Sequence, residues 1–118
     1  MPRFGRKKFY ALGRLKTGEM NKLEAAYDKY LQDRKERGEV AWYKFEGIKL
    51  RLADNTFYTP DFFVMLKNGE LEAHETKGFM QDDARVKLKV AADMYPFRFY
   101  LIKAKPKKDG GGWNITEV

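Results

Sequence analysis

The chain has 118 residues, with 24 Lys and Arg against 17 Asp and Glu, a formal net charge of +7, and 43% hydrophobic and 35% charged residues; this is enough apolar mass for one core, too little length for several, and a balance that makes a polyanion the leading partner. It holds no cysteine, no serine and a single histidine, His74, which excludes a disulfide framework, a thiolate zinc site and a serine triad, and argues against a two-histidine metal site. No apolar run reaches the length of a membrane span and the N-terminus has no signal-peptide core, so the expectations are no membrane and a reducing, cytoplasmic setting.

Residues Met1 to Lys16 carry Arg3, Arg6, Lys7, Lys8, Arg14 and Lys16 among Phe4, Phe9 and Tyr10, with no clear period. They read as a basic N-terminal arm, 1–16, that is either a solubilising tail or a DNA contact, ahead of a single domain, 17–118. From Thr17 to Arg37 the apolar positions Met20, Leu23, Ala26, Tyr27, Tyr30 and Leu31 fall at helical spacing, and Gly38 stands where a helix C-cap is expected. Glu24 borders that apolar face, and helix physics alone makes it solvent-facing. Val40 to Phe45 and Ile48 to Leu52 read as strands, Asp54-Asn55 as a turn, and Phe57 to Leu66 as one long extended segment. Asn68-Gly69 is the signature of a two-residue type I′ hairpin turn and pairs that segment with Glu70 to Lys77. Asp82 to Met94 reads as a second helix stopped before Pro96, Phe97 to Ala104 as a half-buried strand, Lys105 to Gly112 as a polar loop and Trp113 to Val118 as a short edge strand. Trp42, Tyr43 and the Phe97, Phe99, Tyr100 cluster read as core rather than as base-stacking platforms. The order predicts an α/β fold, a mixed sheet with a helix near each face or end.

Two short motifs on either side of the hairpin carry the chemistry. Pro60-Asp61 precedes one strand, and Glu75-Thr76-Lys77 ends the other, with Glu75 and Lys77 two apart and so on one face. Magnesium takes oxygen ligands and only one or two carboxylates, which Asp61 and Glu75 can supply, with the Thr76 backbone carbonyl as a further ligand. Lys77 would then hold an attacking water and offset charge on a phosphate oxyanion. That is the composition of a phosphodiester-cutting site. The bland alternative for each half is a solvated strand edge with a cross-strand ion pair. His74 alternates with Glu75 and should face away from such a metal. Arg85, Lys87 and Lys89 on the second helix read either as phosphate contacts or as a solvated helical face.

Taken together, Asn21-Lys22-Leu23-Glu24-Ala25, Tyr58-Thr59-Pro60-Asp61-Phe62 and His74-Glu75-Thr76-Lys77-Gly78 resemble the PD-(D/E)XK nuclease superfamily, and within it a family of small phage and prophage proteins, over about Asn21 to Ile102. The resemblance implies a restriction-endonuclease-like core of α-β-β-β-α-β order. It also implies a magnesium-dependent endodeoxyribonuclease, with manganese as a substitute, in which Asp61 and Glu75 bind the metal, Lys77 supports the nucleophile, and Glu24 reaches the metal through water. By analogy with small phage enzymes of this kind, the expected substrate is branched DNA, such as a four-way junction, or duplex DNA. The expected setting is then the host cytoplasm and the expected assembly a homodimer, since one site cuts one strand. The competing classes are a non-catalytic nucleic-acid-binding module that retains the fold, and a structural component of a phage assembly.

Overall fold

A computed structural model describes residues 18–78 and 82–118 of the chain. Helix α1 spans Lys22–Glu36. Its start is fixed by a capping box: Asn21 Oδ1 accepts from the Glu24 N–H at 2.7 Å, and Glu24 Oε1 accepts from the Asn21 N–H at 2.9 Å. The reciprocal pair satisfies donors that a helix start leaves open, and it begins the helix later than the periodicity from Thr17 predicts. Tyr27 and Leu31, four apart on one face, are fully buried.

Five strands form the main sheet in the order β1-β4-β5-β6-β7, where β1 is Val40–Phe45, β4 Phe62–Leu66, β5 Leu71–Thr76, β6 Arg98–Ala104 and β7 Trp113–Glu117. All neighbours are antiparallel except β5 and β6, which run parallel and are joined through helix α2, Asp82–Met94. Strands β2 (Leu50–Ala53) and β3 (Thr56–Tyr58) make a separate hairpin. The interior strand β4 is buried on both faces along its Phe-Phe-Val run. Phe62, Val64 and Ile102 pack under α1 with Tyr27 and Leu31, while Phe63, Ala73 and Phe99 pack under α2 and the β2–β3 hairpin with Leu88, Leu50 and Tyr58. The molecule is therefore layered, with α1 on one face and α2 beside the small hairpin on the other. Among the described residues no helix is long and apolar enough to cross a membrane.

Three local expectations change. The extended segment Phe57 to Leu66 is two strands belonging to different sheets, because Pro60 has no ladder donor and the chain leaves one sheet for the other across Thr59-Pro60-Asp61. Trp42 is 40% exposed on an edge strand, its ring edge-on to Phe63, and so contributes only part of itself to the core. The β4–β5 turn is not type I′. The Gly69 N–H donates to the Leu66 carbonyl at 2.9 Å and the Leu66 N–H to the Glu70 carbonyl at 2.8 Å, with Gly69 at φ +92° and no positive φ at Asn68. Asn68 Oδ1 accepts from the Glu70 N–H at 3.0 Å, an Asx turn that the two-residue geometry would forgo. The result is a three-residue loop with glycine in the left-handed position. The extra residue matters for the site. A two-residue turn at Asn68-Gly69 would pair Lys67 with Glu70 and set Phe62 opposite Glu75, whereas the observed register sets Phe62 opposite His74.

Candidate functional site

Continuing the Phe62–His74 pairing by one step puts Asp61, just ahead of β4, opposite Glu75 near the end of β5, on the face that also carries Phe63 and Ala73. Two pairs of donors lock the carboxylates together. Glu75 Oε1 accepts from the Tyr58 hydroxyl at 2.7 Å and from the Asp61 N–H at 3.2 Å. Asp61 Oδ2 accepts from the Thr76 N–H at 2.9 Å and from the Thr76 hydroxyl at 2.7 Å. Glu75 Oε2 is left without a donor among the described residues, so one oxygen of this carboxylate is anchored and the other is offered.

The pair is electrostatically uncompensated. Burial is the largest cause pushing Asp61 up to about 7; two hydrogen bonds from Thr76 oppose it and the Glu24 carboxylate adds to it. Burial again dominates for Glu75, pushed up to about 8, with the charge of Asp61 next and the Tyr58 and Asp61 N–H donors opposing. Tyr58 is itself driven well above the ordinary tyrosine range by burial and by Glu75, so it stays a neutral donor. No salt bridge reaches Asp61, Glu75 or Glu24 among the described residues. Half-buried carboxylates side by side without a basic partner are costly to ionise, and a bound cation would reduce that cost.

Glu24 from the first turn of α1 stands near enough to raise both members of the pair, which places it at the site rather than in solvent as its helical position alone suggested. Its Oε1 is occupied by the capping box, and among the described residues no three side chains of ligating type group so as to hold a metal ion between them. The donor set is therefore a carboxylate pair with a third carboxylate behind it. Such a set fits a magnesium ion that keeps several waters. The Thr76 carbonyl adds to it: one further step of register sets Pro60 opposite Thr76, and Pro60 has no N–H to occupy that carbonyl. Lys77 donates its backbone N–H to the Ile102 carbonyl at 2.8 Å and follows Glu75 on the same face. Lys77 is half-buried as a residue and has no ion pair among the described residues.

His74 points to the opposite face, as expected. The Tyr27 hydroxyl meets its Nδ1 at 2.7 Å and Glu72 Oε1 meets its Nε2 at 2.9 Å, both bonds being buried. Burial lifts Tyr27 well above the ordinary tyrosine range, so the phenol stays neutral within this buried Tyr27–His74–Glu72 chain. This bond ties α1 to β5 one turn beyond Glu24 and one residue before Glu75. Sequence reasoning missed Tyr58, the Thr76 hydroxyl and Tyr27 as supports of the site. The signal for Tyr58 was its place in the Tyr58-Thr59-Pro60-Asp61 run, but its contact with Glu75 depends on how the β2–β3 hairpin folds over the sheet.

Of the anticipated DNA contacts, Arg3, Arg6, Lys7, Lys8, Arg14 and Lys16 lie outside the described residues. Arg85 and Lys89 are exposed, four apart on one flank of α2, beside a groove of about 270 Å³ that Leu101 and Val118 also line. Lys87 is half-buried on the other flank, so the three do not form one track. Comparison of the chain with protein-family models, curated proteins and solved structures finds no match.

Proposed function

We propose that the chain is a metal-dependent endodeoxyribonuclease with a restriction-endonuclease-like core. The observation that carries this reading is the hydrogen-bonded Asp61–Glu75 pair, half-buried and without a basic partner among the described residues, in a protein of net charge +7. Carboxylates repel a phosphate backbone, so their presence at a surface meant for nucleic acid calls for a divalent cation between them and the phosphate. Magnesium, or manganese in its place, would be held by Asp61, Glu75 and the Thr76 carbonyl, with Glu24 hydrogen-bonding a water of the ion. When bound, the ion supplies a nucleophilic water at neutral pH and charge relief at the phosphate. Tyr58 and Thr76 hold the two carboxylates in place, and Lys77 holds a water or a phosphate oxygen beside Glu75.

Branched DNA such as a four-way junction, or duplex DNA, is the substrate class of this proposal, with a homodimer supplying a second site for paired cuts and a phage-encoded role in the host cytoplasm. The test is cleavage of labelled junction, nicked, duplex and single-stranded DNA with magnesium, manganese or EDTA, comparing the wild type with Asp61→Ala and Lys77→Ala. Metal-dependent cutting lost in both variants supports the reading. Binding without cutting, indifferent to metal and to Lys77→Ala, would instead identify a non-catalytic binding module.

A further inference from the structure

The parallel pairing of β5 with β6 brings the C-terminal ends of both strands to one end of the sheet, where Thr76 stands beside Ile102. One step further, Lys103 of β6 is next in register to Lys77 and shares its face, a single strand spacing away, about 4.8 Å. The chain then enters the β6–β7 loop, where Lys105, Lys107 and Lys108 are all exposed. From Lys103 to Gly112 there are four lysines and one acid, Asp109. None of the four has an ion pair among the described residues.

The loop is a built element. Lys107–Asp109 form a 3-10 turn, and the N–H groups of Asp109 and Gly111 donate to the Pro106 carbonyl, that of Gly110 to the Lys107 carbonyl and that of Lys105 to the Gly112 carbonyl, at 2.9 to 3.1 Å. Gly110 to Gly112 all take positive φ, a run that other residues would strain. The ammonium groups are thus carried on a hydrogen-bonded scaffold, which lowers the entropy lost when they engage a partner. The carboxylate cluster repels a polyanion, so the attraction that seats one must come from beside it.

We propose that Lys103 and the Lys105–Lys107–Lys108 loop form a phosphate-backbone grip, holding the stretch of nucleic acid that flanks the bond at the Asp61–Glu75 site. The proposal rests on the nucleic-acid reading above and names a part of the substrate path that neither the basic arm nor α2 supplies. The grip contacts phosphates and carries no sequence information.

The test is duplex DNA binding by fluorescence anisotropy, in EDTA and in calcium, over about 50 to 200 mM salt. The triple variant Lys105→Gln, Lys107→Gln, Lys108→Gln is compared with a charge-matched control, Lys29→Gln, Lys35→Gln, Lys67→Gln, at exposed positions away from the loop. The expected result is at least about tenfold weaker binding for the loop variant at low salt, and a salt slope shallower by about 2 to 3, near 0.9 per lost phosphate contact. The control should change both quantities much less. Equal effects of the two triples, or unchanged binding by the loop variant, would overturn the proposal. Outcomes for the nuclease reading separate cleanly. A wild type that binds but never cuts while the loop variant loses affinity refutes the nuclease and keeps the grip. A wild type that cuts while the loop variant binds normally refutes the grip alone.

Discussion

Ionising the carboxylate pair should make the metal-free protein less stable as pH rises, the reverse of ordinary acid unfolding. Glu75 moves from 4.5 to about 8 and Asp61 from 3.8 to about 7 on folding, so between those limits the native state holds more protons than the unfolded chain. Stability is then fully present at the acid side of that window and is lost as pH rises through the folded values. At 1.36 kcal/mol per tenfold, the Glu75 change alone corresponds to a ceiling of about 5 kcal/mol. Water entering the site and the opposing donors reduce this, and a loss of about 2 to 4 kcal/mol between about pH 5.5 and 8.5 is expected. For a chain of this length that is roughly 10 °C in Tm. The assay is urea unfolding in EDTA across that range for wild type, Asp61→Asn and Glu75→Gln. The variants should show a clearly flatter pH dependence and should exceed the wild type in stability at the alkaline end. Magnesium at a hundredfold excess over its Kd should restore about 2.7 kcal/mol to the wild type at that pH. A wild-type stability that is flat or rising over this range, or variants that follow the wild-type slope, would refute the reasoning.

Tyr58→Phe removes one of two donors from Glu75 Oε1 while keeping the buried ring; magnesium affinity by calorimetry should weaken by about tenfold to a hundredfold, with the fold intact by circular dichroism. Tyr27→Phe leaves His74 Nδ1 without its partner in a buried site and should cost about 1 to 3 kcal/mol in urea unfolding. Because that bond docks α1 beside the site, Tyr27→Phe should also weaken metal binding in the wild type, and much less once Glu24→Gln has removed what the docking positions; equal losses in both backgrounds would show that the bond is only structural.

Much of this was readable in the residues because it rests on local periodicity. The helical spacing of Tyr27 and Leu31, the alternation through Glu75 and Lys77, and the turn residues around Gly69 are properties of short windows, and the elements they predict are present. What the windows do not contain is register. The Asn68-Gly69 pair signals a two-residue turn, yet that turn would have set Glu75 opposite Phe62; the Asx bond from Asn68 to Glu70 tips the loop to three residues and brings Asp61 opposite Glu75. Tyr58 and Glu24 arrive from a separate hairpin and from a helix, so their roles follow from tertiary docking that no local pattern encodes. The missing ladder donor of Pro60 was legible, but the break it makes in the Phe57 to Leu66 segment was not, and its effect of freeing the Thr76 carbonyl depends on which residue stands across from it.

The short sequence distances within the hairpin carry a kinetic consequence. The hydrogen bonds that hold the pair span only 14 to 17 residues, so much of the carboxylate pair can assemble when the β3–β5 region forms, on the microsecond scale of hairpin closure. Glu24 joins only when α1 docks through Tyr27 and His74, a contact spanning 47 residues. A divalent cation bound to the early pair would therefore act on the folding transition state and raise the refolding rate, leaving the unfolding limb of the chevron nearly where it was.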